Sequence, residues 1–589
     1  MNIFLYFCPG ADPAMPHAAL PALAARLRQD GIHDYSLYDL NVEAFLYFLN
    51  GEKVTRAREI VQQQLNNGEL TSAHPRQEVE KLLAASADLP QRIEDCAAGF
   101  RAPEIFYSPD KLWAIKADAK AAFRLLSLQY DPTGRLRFDK YSLFEGFSYN
   151  SFEEIRAALE DPAATMLVEF YREKVIPDII AKTPGLVGFS VPYFPQLLPA
   201  FLLAREIRKT SPHTHITYGG PVITWGKETL MRQADQFASL IDSFCIGEGE
   251  DCISELAKAL EMKQDLSVVP NLVYFQRGKP ADGPHRVNAV DLGKLMAPDY
   301  SGMPMEKYPA PRRVISLPLT KGCYYNRCRF CNYSFIKMTT YRERPAAAAV
   351  RDIEHIIAQT GDRVFSFESD VIRPGYLLEF SRELLRQGVD IKWHAVMRFE
   401  KGTSRDFFDV LARAGCVRIY FGLESANPRI LQKMDKGAAV EIIQKTLEAC
   451  SGAGIAAEVG AFLGYPGETV SEARDTLNFI RLNRSHIDRV DTGFFRLLKG
   501  APVVEDLARQ GLCPDKTGAD YWYTINVPNP TLENDRPTFE GILQELENLF
   551  PVLGALDIPE EILYAARFGK AIINQVGEMF ERSMSHQEH

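Results

Sequence analysis

Short apolar strands alternate with amphipathic helices twice along this chain, and that alternation constrains the fold more than any other feature. The first series predicts strands at Asn2–Phe7, Tyr35–Leu40, Leu186–Val191, His215–Tyr218 and Phe244–Ile246. The second predicts Val314–Leu319, Val364–Phe367, Lys392–Val396, Arg418–Phe421, Ala457–Phe462 and Val490–Phe495. Helices fill the gaps, among them Ala18–Gln29, Pro345–Gln359 and Thr469–Asn483. Strand–helix alternation implies parallel sheets covered by helices. The expected class is therefore α/β. Residues 1–263 read as a doubly wound, Rossmann-like (flavodoxin-like) domain carrying a helical insertion at about 51–180. Residues 264–311 read as a linker with a small hairpin. Residues 312–500 suit a partial (β/α)6 barrel, and 501–589 a mainly helical C-terminal region.

The totals exclude several classes. With 589 residues the chain is too long for one core and divides into two to four domains. Its 46% hydrophobic and 24% charged content is that of an ordinary water-soluble chain. A net charge of −10 argues against general binding to nucleic acid or to an anionic membrane. The apolar start, Met1–Cys8, has no basic flank or cleavage signature and reads as a first strand, not a signal peptide. No apolar run approaches the roughly 18 residues of a membrane span. Ten cysteines without a secretory context predict reduced thiols and a cytoplasmic location. Seven of them (Cys8, Cys96, Cys245, Cys252, Cys416, Cys450 and Cys513) are scattered and read as small core fillers.

The other three lie together. Lys321-Gly-Cys-Tyr-Tyr-Asn-Arg-Cys-Arg-Phe-Cys-Asn-Tyr333 places Cys323, Cys328 and Cys331 in one loop, with no fourth cysteine nearby. Three thiolates can hold three irons of a cubane cluster and leave the fourth iron open to a small molecule. A closed structural zinc site takes four protein ligands. Zinc completed by a distant histidine or cysteine is the alternative. The loop follows the first strand of the second series, at the carboxyl end where barrels keep their functional groups. Later strand ends read Phe365-Ser-Phe-Glu-Ser-Asp370, Trp393-His-Ala-Val-Met-Arg398, Phe421-Gly-Leu-Glu-Ser425 and Phe462-Leu-Gly-Tyr-Pro-Gly-Glu468.

This loop and the strand ends after it resemble the radical S-adenosylmethionine (SAM) superfamily over about residues 312–500. The usual family spacing is Cys-x3-Cys-x2-Cys. Here four residues separate Cys323 from Cys328, as in a variant found in some cobalamin-associated members. The resemblance implies a [4Fe-4S] cluster on Cys323, Cys328 and Cys331, with SAM bound at the open iron and cleaved reductively to a 5′-deoxyadenosyl radical. It implies that Phe330 packs by the adenine, and that Glu368 or Asp370 takes the place of a Gly-Gly-Glu contact to the SAM amino group. Arg398 would neutralise the SAM carboxylate. Glu424 and Ser425 would contact the ribose, and Gly464 would belong to the turn near the adenine.

The first series resembles the cobalamin-binding domain that precedes many radical SAM barrels, over about residues 1–50 and 180–262. Its strand-end loops carry the implied cobalamin contacts: Pro9 and Gly10, Ser190 and Val191, Gly219, Gly220 and Pro221, and Gly247, Glu248 and Gly249. Glycine in such loops lets backbone approach a bulky ligand. The Asp-x-His-x-x-Gly motif that supplies a lower-face histidine in mutases is absent, and His17 reads as a surface or helix-start residue. Together the resemblances imply a cobalamin-dependent radical SAM C-methyltransferase acting on a natural product or peptide. Its other partner would be an electron donor such as flavodoxin or ferredoxin, with no nucleic acid and no membrane span. Alternatives are a radical SAM cyclisation or rearrangement with cobalamin structural or absent, a flavodoxin-like domain without ligand, and a non-catalytic iron–sulfur or zinc protein. The insertion and the tail, including Tyr521-Trp-Tyr523, are expected to serve the substrate.

Overall fold

The computed structural model describes residues 1–70, 75–131, 151–276, 278–285, 290–332, 340–367, 369–509 and 530–549. They fall into two compact units. One holds residues 1–290 and 298–313; the other holds 291–297 and the barrel that begins at Val314.

The first unit is built on β1 (Ile3–Phe7), whose five residues are all buried. It lies between β2 (Tyr35–Asp39) and β3 (Leu186–Ser190), and parallel pairing continues to β4 (His215–Gly219) and β5 (Ser243–Cys245). The order β2-β1-β3-β4-β5 is the doubly wound arrangement, with its topological switch between β1 and β3. Two antiparallel strands, β6 (Leu272–Gln276) and β7 (Lys279–Asp282), extend the β5 edge. The hairpin read from sequence as part of a linker is thus the margin of this sheet.

Register explains the aromatic content of these strands. Tyr38, Tyr6, Phe189, Tyr218 and Phe244 stand side by side on five successive strands. Neighbouring rings lie between 4.8 and 6.4 Å apart. Cross-strand aromatic pairs of this kind stabilise a sheet by about 0.2–1 kcal/mol each. Phe201, on the helix Leu197–Thr210, covers Tyr218 at 5.5 Å, and Phe237 covers Phe244 at 5.9 Å. The connection from β2 to β3 is helical among the described residues, from Leu40–Phe48 to Ile176–Lys182. It reaches the aromatic face through Phe152, which packs 4.2 Å from Phe237.

The second unit has a six-stranded parallel sheet, β8 (Val314–Ser316), β11 (Val364–Phe367), β12 (Lys392–Met397), β13 (Cys416–Glu424), β14 (Ala456–Leu463) and β15 (Arg489–Phe494), in consecutive order. A two-residue hairpin, β9 (Thr320–Lys321) with β10 (Arg342–Glu343), follows β8 and was not foreseen from sequence. The short helix Pro428–Lys433 was also missed. One face of the sheet is apolar: Trp393 packs 5.4 Å from Phe367 and 5.9 Å from Phe380 of the helix Pro374–Gln387. Arg418 and Glu458, both nearly buried, pair at 2.7 Å between β13 and β14. Arg418 also bonds His394 Nδ1 at 3.1 Å, and Arg489 reaches Glu458 at 3.3 Å.

Among the described residues no helix is long and apolar enough to cross a membrane. No disulfide joins the nine described cysteines. Those outside the triplet (Cys8, Cys96, Cys245, Cys252, Cys416 and Cys450) are buried, as core fillers should be. Cys513, the Tyr521–Tyr523 stretch and much of the tail lie outside the described residues.

Candidate cluster and cofactor sites

The cysteine loop leaves the barrel between β9 and β10, whose antiparallel pairing closes its base. Gly322 starts it with φ +87°, and a Cβ there would lie 2.8 Å from the Thr340 carbonyl oxygen. Only glycine fits both the left-handed turn and that contact. Cys323, Cys328 and Cys331 are half-buried. The Asn326 amide donates to Cys323 Sγ at 3.4 Å, and the Cys331 amide to the Cys328 carbonyl at 3.2 Å. Among the described residues no three His, Cys, Asp or Glu side chains group as ligands of one metal ion. Thiolates of a cubane instead bind separate irons.

Segment 434–437 fastens the loop. The Arg329 amide donates to the Met434 carbonyl at 2.9 Å, and the Arg329 side chain forks onto Asp506 at 2.6 Å. The Tyr325 hydroxyl donates to the Asp435 carbonyl at 2.8 Å, and Arg327 reaches the Asp435 carboxylate at 3.0 Å. At Gly437, φ is +73° and a Cβ would lie 2.3 Å from the Tyr325 hydroxyl. The lengthened spacing between Cys323 and Cys328 thus contains a tyrosine that ties the loop to its support. Burial pushes the Cys328 thiol up, while Lys436 and Arg398 pull it back down.

The expected SAM contacts divide into several groups. Phe330 stands edge-on to Phe462 at 5.4 Å and packs on a core of Ile430, Met434 and Tyr465. Glu424 ends β13 at a bulge with φ +62°, a strained conformation for a non-glycine residue, and binds Lys436 Nζ at 2.7 Å. Lys436 Nζ also lies 5.6 Å from the centre of the Phe330 ring. These side chains gather beside the cysteine loop. Gly464 has φ +80°, and its amide donates to Glu468 at 2.6 Å; a Cβ would collide with Leu532. Asp370 is exposed after β11, and Glu368 lies outside the described residues.

Two expected contacts are already engaged within the protein. Ser425 is fully buried; its hydroxyl pairs with Thr476 at 3.2 Å and accepts from the Asn427 amide at 3.2 Å. Arg398 is 5% exposed and donates to Glu400, to the Lys436 carbonyl and to Cys328. From sequence, Met434-Asp-Lys-Gly437 reads only as part of the ribose-contacting region that includes Glu424 and Ser425, and Tyr325 carries no role of its own. The dipeptide Tyr324-Tyr325 inside the widened spacing was the available signal.

In the first unit the expected cobalamin contacts sit at the carboxyl ends of β1, β3, β4 and β5, around the switch point. Gln196 Nε2 donates to the Cys8 carbonyl at 2.7 Å, joining the loops after β1 and β3. Gly10 has φ +121°, and its Cβ position lies 2.8 Å from Pro195 backbone; Gly220 meets Val191 backbone in the same way. Neighbouring loops therefore require glycine at both positions. Gly219 and Gly247 are half-buried, and the Gly247 amide donates to Thr224 at 2.8 Å. Glu248 accepts from the Val290 amide at 3.0 Å, and Gly249 opens the helix that ends at Glu261. Val191 is fully buried, Ser190 nearly so, and Pro221 starts the helix ending at Trp225. His17 stacks on Phe7 at 4.9 Å, and its Nδ1 accepts from the Ala19 amide at 3.2 Å, so it serves the start of a helix. Burial pushes its pKa down to about 4.

Comparison with known proteins supplies the context. Residues 317–480 match the model of the Radical SAM superfamily. An uncharacterized methyltransferase of Pyrococcus horikoshii is 26% identical over 301 residues, which are 51% of this chain and 64% of that protein. The anaerobic magnesium-protoporphyrin IX monomethyl ester cyclase of Rubrivivax gelatinosus is 23% identical over 332 residues, 54% of this chain and 57% of its own. The chain therefore spans less than two thirds of either relative. The structure of the radical SAM methyltransferase TsrM from Kitasatospora setae, with cobalamin and a [4Fe-4S] cluster bound, superposes with TM-score 0.55. That match has 16% identity and covers 93% of this chain and 89% of that one. The cobalamin-dependent SAM radical enzyme OxsB gives 0.53 at 16% identity, over 65% of this chain and 61% of its own. Residues 317–480 are thus a radical SAM domain, and the chain shares the α/β fold of the TsrM and OxsB structures.

Proposed function

We propose that this protein is a cobalamin-dependent radical SAM methyltransferase that alkylates an unactivated carbon of a small molecule or peptide. The observation carrying the reading is the loop of Cys323, Cys328 and Cys331 at the carboxyl end of the first barrel strand, in a chain whose other unit is a doubly wound sheet. The donor set fits the cluster: three half-buried thiols beside two cations, Arg398 and Lys436. Bound there, the cluster and SAM supply a carbon-centred oxidant, and cobalamin supplies the methyl group.

The chain's own residues position and shield. Cys323, Cys328 and Cys331 hold the cluster, and the anchors at Met434, Asp435 and Asp506 keep their loop in place. Phe330 and Phe462 offer an apolar wall for an adenine. Glu424 and Lys436 offer an acceptor and a donor beside it, and the Gly464 turn lies close to the Phe330 core through Tyr465. The loops after β1, β3, β4 and β5 hold the corrin without a histidine from the first loop. An outside reductant such as flavodoxin or ferredoxin, and a cytoplasmic setting, complete the reading.

Likeness to the ester cyclase supports a second reading in which the same cofactors drive ring closure without methyl transfer. Anaerobic reconstitution with SAM and hydroxocobalamin separates the two. Methylcobalamin formation and transfer of label from methyl-labelled SAM to product support methyl transfer. SAM cleavage with no label in product supports cyclisation.

A further inference from the structure

Arg398 directly follows β12, where a cation is expected to meet the SAM carboxylate. Its actual partners point elsewhere. Nη1 lies 3.5 Å from Cys328 Sγ, Nε lies 3.2 Å from Glu400, and Nη2 donates to the Lys436 carbonyl. The guanidinium carbon lies over the Tyr325 ring, 3.5 Å from its centre. The Tyr324 hydroxyl donates to the same Glu400 at 2.8 Å, so both tyrosines of the widened cysteine spacing contribute to its cage. Every guanidinium nitrogen is engaged within the protein, and the side chain is 5% exposed.

We infer that Arg398 is a positioning residue that tunes an iron–sulfur cluster through the Cys328 thiolate, and is not the clamp for the SAM carboxylate. The inference rests on the reading of the triplet as cluster ligands. Hydrogen bonds to cluster sulfurs and nearby positive charge favour the more negative, reduced state, which raises the reduction potential. Burial strengthens both effects, because little water competes. Tyr325 beneath the guanidinium, and Glu400 held by Tyr324, fix the fork so that one N–H stays on the sulfur. The same arrangement explains the extra residue between Cys323 and Cys328: the longer spacing accommodates two tyrosines that build the arginine's cage.

The test uses full-length protein reconstituted with iron and sulfide, comparing wild type with Arg398→Gln and Arg398→Lys. Iron and sulfide contents, the midpoint potential by spectroscopically followed titration, and the SAM dissociation constant are measured. Arg398→Gln should shift the one-electron equilibrium at least tenfold toward the oxidised cluster, which is 59 mV more negative. Arg398→Lys should shift it in the same direction by at least twofold, and SAM affinity should change less than threefold in both. A loaded variant with its midpoint unchanged and SAM affinity down tenfold overturns the inference in favour of the clamp. A midpoint and an affinity both unchanged overturn it too. If Arg398→Gln does not load, the lysine variant decides by the same readings. A wild-type protein that takes up no four-iron cluster defeats the functional reading itself; a loaded wild type with unshifted variants defeats this inference alone.

Discussion

Glu468 offers the most quantitative test of how this barrel is held together. Its side chain is 1% exposed, and one carboxylate oxygen accepts the Gly464 and Tyr465 amides at 2.6 and 3.3 Å. The other oxygen, Oε1, is buried with no hydrogen-bond partner among the described residues. Burial outweighs the two amide bonds and pushes the carboxyl from 4.5 up to about 7. The native state therefore keeps a proton that the unfolded chain releases between pH 4.5 and about 7. Stability is fully present below pH 4.5, falls as pH rises through that window, and is flat above it. A shift of that size corresponds to about 3 kcal/mol, at 1.36 kcal/mol per unit.

Glu468→Gln keeps an oxygen for the amides and removes the titration. Urea unfolding of the barrel unit, followed for both proteins from pH 5 to pH 8, should show the variant gaining on wild type as pH rises. The expected gain is about 2–3 kcal/mol across the window. A stability difference that stays constant over this range would refute the reasoning, because no proton would then be linked to folding at Glu468.

Three further substitutions probe other parts of the account. Gly322→Ala puts a side chain at φ +87° against the Thr340 carbonyl, and iron uptake during reconstitution should fall severalfold; normal loading would show that the turn adapts. Phe152→Ala empties the contact between the insertion and Phe237, and should cost about 3–5 kcal/mol of the first unit's unfolding free energy. A loss under about 1 kcal/mol would mean that the insertion is held elsewhere. Glu458→Gln leaves Arg418 buried without its countercharge and should destabilise the barrel by about 3–5 kcal/mol in denaturant titration.

Sequence patterning made the two sheets legible because their strands are short, apolar and regularly spaced, as at Ile3–Phe7 and Val364–Phe367. It placed the cysteine loop after the first barrel strand for the same reason. The β9–β10 hairpin escaped because two-residue strands carry no periodicity, and Pro428–Lys433 because six residues make barely more than a turn. The β6–β7 hairpin was seen but read as linker, since nothing local to residues 272–282 reveals that it pairs with β5. Side-chain allegiance was the least legible layer. Ser425 and Arg398 occupy the expected strand ends, yet their partners, Thr476 and Cys328, lie 51 and 70 residues away in the chain. The close approach of Pro195 backbone to Gly10 and of Val191 backbone to Gly220 was equally illegible, because it joins separate loops.

The central claim is that Cys323, Cys328 and Cys331 carry a cubane with one open iron. The most direct measurement is metal and sulfide analysis of the anaerobically reconstituted protein, with EPR of the reduced state before and after SAM is added. About four irons and four sulfides per chain are expected, with a spectrum that changes when SAM is added. All of this should be lost in Cys328→Ala. One zinc per chain, or a cluster whose spectrum ignores SAM, would contradict it.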